Sequence, residues 1–474
     1  MQFNNFKNKR ITIMGLGLLG GGAGAARFFC ENGAQVTVTD LKTENELLKS
    51  IKKLNKFSPF GRPPVGWKIN YILGGHREED FINADLVVYG PGVRANSSYL
   101  KIAQKNKVKL DTDIGIFFSN CPCPIIGITG TKGKSTITTL IYKLLKLKYK
   151  KTFLGGNIQK SVLKILPKLD KKSLVVLELS SWQLEGLVRH KKSPYIALIT
   201  NILPDHLNTY GSFEKYFAAK KNIYKHQQLG DFLILNYDDD NLRRIGRKSF
   251  KGNILYYSLN KNLRNAIAYV KNGNIFYKDY SICHTKDLKI KGEHNLRHIL
   301  GALTMISRYN IPLSGIRHTI LNFKGIPGRF EKITEKNGIK YINDTTATNP
   351  DAVIEALKTG GGENSQKKIV LICGGVDKNL DGYRQLAKYM QKFVKNIVLL
   401  PGTATEKLKK ELISLKISVP IIEADSMKMA VKKAAVCAVK GDMVMLSPGA
   451  ASFGLFVNEF DRGNQFVEEV KILK

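Results

Sequence analysis

Short apolar runs recur along the chain, each followed by a glycine-containing turn and then by residues at helical spacing. The first, ITIMGLG, leads into a small-residue stretch from about Gly22 to Asn32 and then AQVTVTD, a strand–helix–strand unit. ADLVVYGPGV predicts another buried strand, ending in a turn at Pro91 and Gly92. Between Lys52 and Lys68 the prolines and glycines of FSPFGRPPVGW predict an irregular excursion rather than a helix. Polarity is mixed from Asp111 to Cys123, and the pattern then restarts with PIIGITGTKGKSTITTLIYKLLK, which places a domain boundary near 112–122. SLVVLEL, YIALITNI and DFLILN predict further strands. IAYVKNGNIFYK predicts a hairpin turning at Asn272 and Gly273, and KGEHNLRHILGALTMISRY a helix. From about Ile326 a third segment alternates KYIND, KKIVLICGG, NIVLLPG and DMVMLSPG with amphipathic stretches.

At 474 residues the chain exceeds what one hydrophobic core normally supports. Its 43% hydrophobic and 24% charged residues exclude wholesale disorder. No apolar run approaches membrane-spanning length and the start has no signal-peptide pattern, so a cytoplasmic protein without membrane insertion is expected. The six cysteines, at 30, 121, 123, 283, 373 and 437, do not follow a disulfide framework. The CPCP run at Cys121 and Cys123 has no second pair to complete a zinc site, so packing is the expected role of its thiols. Lys and Arg total 75 against 39 Asp and Glu, a formal net charge of +36. Nucleic acid, an anionic membrane, a polyphosphate ligand or a basic proteome each suit that charge. No helicase-like, zinc-finger or RNP-like constellation accompanies it, which disfavours a nucleic-acid-stimulated ATPase.

Chemistry concentrates at predicted strand ends. Gly130-Thr131-Lys132-Gly133-Lys134-Ser135-Thr136 lies between a strand and a helix, so its amides can cradle phosphates. Lys134 can neutralise them and the Ser135 hydroxyl can ligate magnesium. The spacing predicts nucleoside-triphosphate binding even though Ile128 stands where the usual motif has its first glycine. Glu178 closes the next strand as a candidate Mg²⁺ ligand. Asp205 and His206 follow another strand, and Lys220 lies on the helical pattern after them. In the first segment, Gly15, Gly17 and Gly20 to Gly22 permit a nucleotide-like ligand to approach, with Asp40 at the next strand end. In the third segment Arg329 could reach a transferring phosphate, Asp344 ends a strand, and Lys378 and Ser452 sit in post-strand loops able to receive a carboxylate. The expected architecture is α/β in three domains. A Rossmann-like domain spans 1–112, a phosphate-loop ATPase-like domain with a mostly parallel sheet spans 113–324, and a second Rossmann-like domain spans 325–474.

GITGTKGKST, LELSSWQL, TNILPDHLNTY, AAKKNIY, GEHN, YINDTTATNP and SPGAASFGLFVNEFDRG stand in one order over the whole chain, and that order resembles the Mur ligase family. ELSSWQL and NDTTATN resemble its D-glutamate-adding branch, and the DNPR-type signature of the dicarboxylate-adding branch is missing from the third segment. The resemblance implies an ATP- and Mg²⁺-dependent acid–amino-acid ligase of peptidoglycan precursor synthesis. It would join D-glutamate to UDP-N-acetylmuramoyl-L-alanine through an acyl phosphate. It further implies that Lys134 and the Gly130–Thr136 loop bind ATP, with Ser135 and Glu178 on one magnesium and His206 with a carbamylated Lys220 on a second. Asn295 would contact adenine, Arg329 the γ-phosphate, and Asp344 the ribose. Asn157 would lie at the acceptor carboxylate, Gly15, Asp40, Pro91 and Gly92 at the uridine diphosphate, and Thr348, Lys378 and Ser452 at the D-glutamate carboxylates. A monomer with no obligate nucleic-acid partner is expected.

Four positions depart from the family pattern. His298 replaces an Asn, Gly328 a His, and Thr346 a Lys, while Glu459 takes the place of a Phe that here falls at Phe460. Within the class, an L-alanine-adding or folylpolyglutamate synthetase-like ligase is the alternative.

Overall fold

The computed structural model describes residues 4–18, 20–55, 67–90, 92–93, 96–157, 161–245, 250–260, 266–361, 367–377 and 381–473. Pro91 and Lys378, both expected at ligand sites, lie outside the described residues, as does most of the proline-rich run after Lys52.

Three α/β sheets follow one another along the chain. The first contains β1 (Arg10–Met14), β2 (Gln35–Asp40), β3 (Lys68–Leu73), β4 (Leu86–Tyr89) and β5 (Lys109–Asp111) in the order β3-β2-β1-β4-β5. All its pairings are parallel. Strand order reverses between β1 and β4, so the loops opening at Gly15 and Gly90 flank the crevice where ligands of such sheets gather. The helix Gly21–Glu31 buries Phe28 and Phe29 behind this sheet. Between Lys52 and Lys68 the expected irregularity is narrower than the residues suggest, because Lys52–Asn55 finish the helix Glu44–Asn55 and Lys68 begins β3. The ENELLKSIKKLN spacing buries Leu47, Ile51 and Leu54 on one face, which carries the helix through the lysines.

The second sheet takes β6 (Ile125–Thr129), β7 (Thr152–Gly156), β8 (Leu174–Glu178), β9 (Ile196–Ile199), β10 (Phe232–Asn236) and β11 (Asn253–Ser258). β12 (Ala266–Lys271), β13 (Asn274–Tyr277) and β14 (Tyr280–His284) extend it. Its order is β14-β13-β12-β11-β10-β9-β6-β8-β7, parallel from β7 to β12 and antiparallel in the last two pairings. The expected hairpin turns through Asn272 and Gly273, both at positive φ. The stretch read as a boundary near 112–122 is itself a helix, Asp113–Asn120, capped by the Thr112 hydroxyl and burying Ile114, Ile116, Phe117 and Phe118. Those side chains share one core with the first two sheets. By chain contacts, residues up to Leu288 with Glu293–Asn322 form one unit, and Lys289–Gly292 with Phe323 onward the other.

The second unit holds β15 (Glu331–Lys336), β16 (Ile339–Asn343), β17 (Ile369–Gly374), β18 (Val394–Leu400), β19 (Ile421–Glu423) and β20 (Met443–Leu446), in the order β15-β16-β20-β17-β18-β19. Only the β15–β16 pairing is antiparallel. Among the described residues no helix is long and apolar enough to cross a membrane.

Candidate active site

β8, β6 and β9 are adjacent and parallel, so their carboxyl ends bring Glu178, the Gly130–Thr136 loop and the Thr200–His206 segment to one edge. Gly130 (φ 143°) and Gly133 (φ 80°) turn the chain from β6 into the helix Lys134–Lys146. Neither tolerates a side chain. A Cβ on Gly130 would lie 1.9 Å from the Thr200 hydroxyl, and one on Gly133 would lie 1.8 Å from His298 Nε2. The Lys134 ammonium donates to the carbonyls of Gly130 and Thr131, each at 3.1 Å.

The loop is held by residues that the motif itself does not reveal. The Asn201 amide accepts from Lys132 N–H at 2.9 Å and donates to the Lys132 carbonyl at 3.1 Å, which also takes the Thr200 hydroxyl at 2.7 Å. Thr131 shares a hydrogen bond with the Tyr216 phenol at 3.2 Å. Asn201 belongs to the TNILPDH run, but its partner lies 69 positions earlier, beyond any local sequence signal.

Glu178 is 2% exposed. Its Oε1 accepts the Asn157 amide at 3.1 Å, and its Oε2 is buried with no hydrogen-bond partner among the described residues. An ionised oxygen left so is costly unless a cation occupies its open side. Lys220, on the helix Phe213–Lys221, is also 2% exposed. Its ammonium donates to the Gly130 carbonyl at 2.9 Å and lies 4.6 Å from the centre of the Tyr216 ring. Burial, with the Lys134 charge adding to it, depresses its pKa to about 7, so a large share of this amine is neutral near neutral pH. His206 takes a left-handed backbone (φ 53°) and sets its ring 4.8 Å from that of Trp182. Burial lowers its pKa, with Asp205 opposing and the nearby lysines adding to the effect, which favours the neutral imidazole. Among the described residues no three His, Cys, Asp or Glu side chains group together. The donor set fits magnesium nonetheless: a buried carboxylate oxygen without a partner among the described residues, and a helix-start hydroxyl at Ser135.

Asn295 and His298 share a face of the helix Glu293–Ile306, with His298 Nδ1 3.3 Å from Asn295 Oδ1. His298 thus fills the space over Gly133 where a side chain there would go. In the first sheet, Asp40 Oδ2 accepts Gly17 N–H at 3.1 Å and Oδ1 accepts Lys42 N–H at 3.0 Å, which ties the Gly15–Gly17 loop to the end of β2.

In the second unit Asp344 is buried at the end of β16, accepting from the Ser447 hydroxyl at 2.8 Å and Phe330 N–H at 3.0 Å. Burial pushes its pKa up to about 7 against the pull of those bonds and of the Arg329 charge. Two of the departing positions bond to each other: the Gly328 carbonyl accepts both the amide (3.1 Å) and the hydroxyl (2.9 Å) of Thr346. Thr348 and Ser452 lie on loops joined by Gly449 N–H to the Ala347 carbonyl at 2.8 Å, and Ala451 pairs with Val376. The fully buried Arg462 fastens these loops, donating to the carbonyls of Thr345 (2.8 Å) and Ala450 (3.2 Å). Sequence reasoning assigned Arg462 no role, because an arginine is expected at the surface. Phe460 N–H is taken by the Asn458 side chain that caps the helix Glu459–Ile472.

Residues 9–111 match the model for the Mur ligase MurD-like N-terminal domain, 128–306 the Mur ligase middle domain, and 328–449 the Mur ligase glutamate ligase domain. The chain is 39% identical over 469 residues to the UDP-N-acetylmuramoylalanine–D-glutamate ligase of Roseiflexus sp. (strain RS-1), covering 97% of each. It is 37% identical over 475 residues to the enzyme of that name from Borreliella afzelii (strain PKo), covering 100% of both. Among solved structures, the UDP-N-acetylmuramate–alanine ligase MurC of Thermotoga maritima superposes with a TM-score of 0.62 at 20% identity, covering 98% of this chain and 99% of that one. MurF ligase from Thermotoga maritima gives 0.56 at 20% identity, covering 83% and 92%. With three sheets in the family's order and full-length relatives, the chain belongs to the Mur ligase family, as an ATP-dependent amide ligase of the MurD type.

Proposed function

We propose that the chain joins D-glutamate to UDP-N-acetylmuramoyl-L-alanine at the expense of ATP, with residues 1–112 holding the uridine diphosphate end, 113–324 the ATP and 325–474 the amino acid. The observation that carries the chemistry is the buried edge where Glu178 Oε2, without a partner among the described residues, the Lys134 ammonium and the depressed Lys220 amine surround a loop whose glycines admit no side chain. The choice of substrates rests on the full-length likeness to the D-glutamate ligases.

In this reading the acceptor carboxylate attacks the γ-phosphorus of ATP, ADP departs, and an acyl phosphate remains. The D-glutamate amine then attacks the acyl carbon, its C–O bond to phosphate breaks, and the amide forms with loss of a proton from nitrogen. Lys134 and the loop amides hold the phosphates, and Arg329 balances charge on the transferred group. Ser135 and Glu178 would hold one Mg²⁺, and His206 with Lys220 a second. Bound magnesium supplies positive charge against the phosphate oxygens. Lys220 is suited to carbamylation, in which a neutral amine adds to carbon dioxide and releases a proton. That turns a cation which repels metal into an anion which holds it. Asn295 would meet adenine and Asp344 the ribose. Asn157, tied to Glu178, would orient the acceptor carboxylate, while Gly15, Asp40, Pro91 and Gly92 hold its nucleotide end. Thr348, Lys378 and Ser452 would receive the D-glutamate carboxylates. The protein is proposed to act as a cytoplasmic monomer.

ADP release measured with UDP-N-acetylmuramoyl-L-alanine and, in turn, D-glutamate, L-glutamate, L-alanine or meso-diaminopimelate tests the assignment. D-glutamate alone should drive turnover; release that depends on another amino acid overturns it.

A further inference from the structure

The six cysteines occupy unlike settings. Cys30 and Cys373 are buried in the cores, where burial pushes each thiol up to about 12. Cys121 and Cys123 are half-buried in the connection between the helix Asp113–Asn120 and β6. Their sulfurs lie 3.7 Å apart, and the Cys121 thiol donates to the Cys123 carbonyl at 3.4 Å. Two constraints hold this geometry. Cys121 N–H bonds the Phe117 carbonyl at 2.8 Å, ending the helix, and Pro122 and Pro124 fix φ on either side of Cys123. The two thiols therefore face each other while packing, as expected, against the core.

Their electrostatics are asymmetric in the manner that exchange chemistry uses. The hydrogen bond shared with Cys123, with the Lys192 ammonium contributing and burial opposing, lowers the Cys121 pKa. Lys192 is anchored nearby on the Phe118 carbonyl at 2.9 Å. The same contact, with burial adding to it, raises Cys123. A thiolate is the attacking species in disulfide exchange, and a neighbouring thiol resolves the adduct.

We propose that Cys121 and Cys123 form a reversible dithiol–disulfide modification site in the connection between the first and second sheets, oxidised by low-molecular-weight disulfides. The Cys121 thiolate attacks one sulfur of such a disulfide, forming a mixed disulfide and expelling a thiolate. Cys123 passes its proton to the expelled thiolate and its sulfur attacks Cys121 Sγ, expelling the second thiolate. The proton that Cys121 released in forming its thiolate goes to the second expelled thiolate, so one protein disulfide and two small thiols result, with two electrons passed to the reagent. Closing the bond brings the sulfurs from 3.7 Å to ~2.05 Å, an approach of ~1.7 Å.

The full-length protein incubated with glutathione disulfide, alkylated and mapped by peptide mass spectrometry tests this. The peptide carrying both cysteines should lose two hydrogens, regain them in dithiothreitol, and carry no glutathione. Cys123→Ser should trap glutathione on Cys121, and Cys121→Ser should leave Cys123 reduced under the same exposure. Stable glutathione on either cysteine of the wild type, an unchanged peptide, or a bond reaching Cys283 or Cys437 overturns the proposal.

Discussion

Lys220→Met separates stability from turnover. The Lys220 side chain is 2% exposed, and burial, followed by the Lys134 charge, depresses its pKa from 10.5 to about 7. The unfolded chain keeps the proton up to about 10.5 while the folded chain releases it near 7. Between those values the unfolded state holds more protons, so stability rises with pH. Below pH 7 the folded state carries the whole cost, which at ~1.4 kcal/mol per pH unit is bounded at ~5 kcal/mol. The bond to the Gly130 carbonyl and the packing of the stem return ~1–3 kcal/mol. Methionine keeps the stem and removes the charge. The variant should therefore be ~2–4 kcal/mol more stable than the wild type at pH 6 and within ~1 kcal/mol of it at pH 9. Turnover should be nearly abolished at both. Urea unfolding in bicarbonate-free buffer gives the two differences, bicarbonate being excluded so that the wild-type amine stays unmodified. A variant no more stable than the wild type at pH 6, or a difference that does not narrow by pH 9, refutes the reasoning.

Glu178→Gln supplies a neutral amide where the buried Oε2 has no partner among the described residues. Turnover should fall by ~100-fold or more with the melting temperature little changed, and saturating magnesium should not restore it; full activity at high Mg²⁺ removes Glu178 from the metal site. Gly133→Ala pushes a Cβ to 1.8 Å from His298 Nε2 at φ 80°, a combination worth ~2–4 kcal/mol in chemical denaturation and a raised KM for ATP. Adding His298→Ala should recover part of that stability, and strict additivity of the two changes contradicts the contact. Arg462→Lys loses the forked contact to the Thr345 and Ala450 carbonyls, so KM for D-glutamate should rise ~10-fold or more while KM for ATP changes less. Equal effects on both would detach Arg462 from the amino-acid loops.

The placement of the motifs carried by contiguous residues was legible. GTKGKS stands between a strand and a helix as its pattern predicts, and the alternation of strands and helices brings Glu178 and the segment ending at His206 to the same sheet edge. Short apolar runs likewise located the strands because parallel strands are buried on both faces. Two helices were less legible. DIGIFFSN is too short and too uniformly apolar for its period to stand out, and the lysines of Glu44–Asn55 mask a three-residue apolar stripe. Long-range clamps left no local trace: Asn201 on Lys132, Thr346 on Gly328, and Arg462 on two loops depend on pairings only the fold creates. The net charge of +36 pointed towards nucleic acid as readily as to phosphates, and many of the lysines lie on exposed helix faces such as 407–410 and 428–433. Substrate KM values that climb steeply with salt would give that charge a part in binding.

Oxygen transfer from acceptor to phosphate tests the proposed chemistry at its core. With ¹⁸O in the L-alanyl carboxylate of UDP-N-acetylmuramoyl-L-alanine, each turnover with D-glutamate should place one labelled oxygen in the released phosphate and leave the other in the new amide carbonyl. Unlabelled phosphate released during D-glutamate-dependent turnover, with both labels still on the acceptor, would contradict an acyl-phosphate ligase.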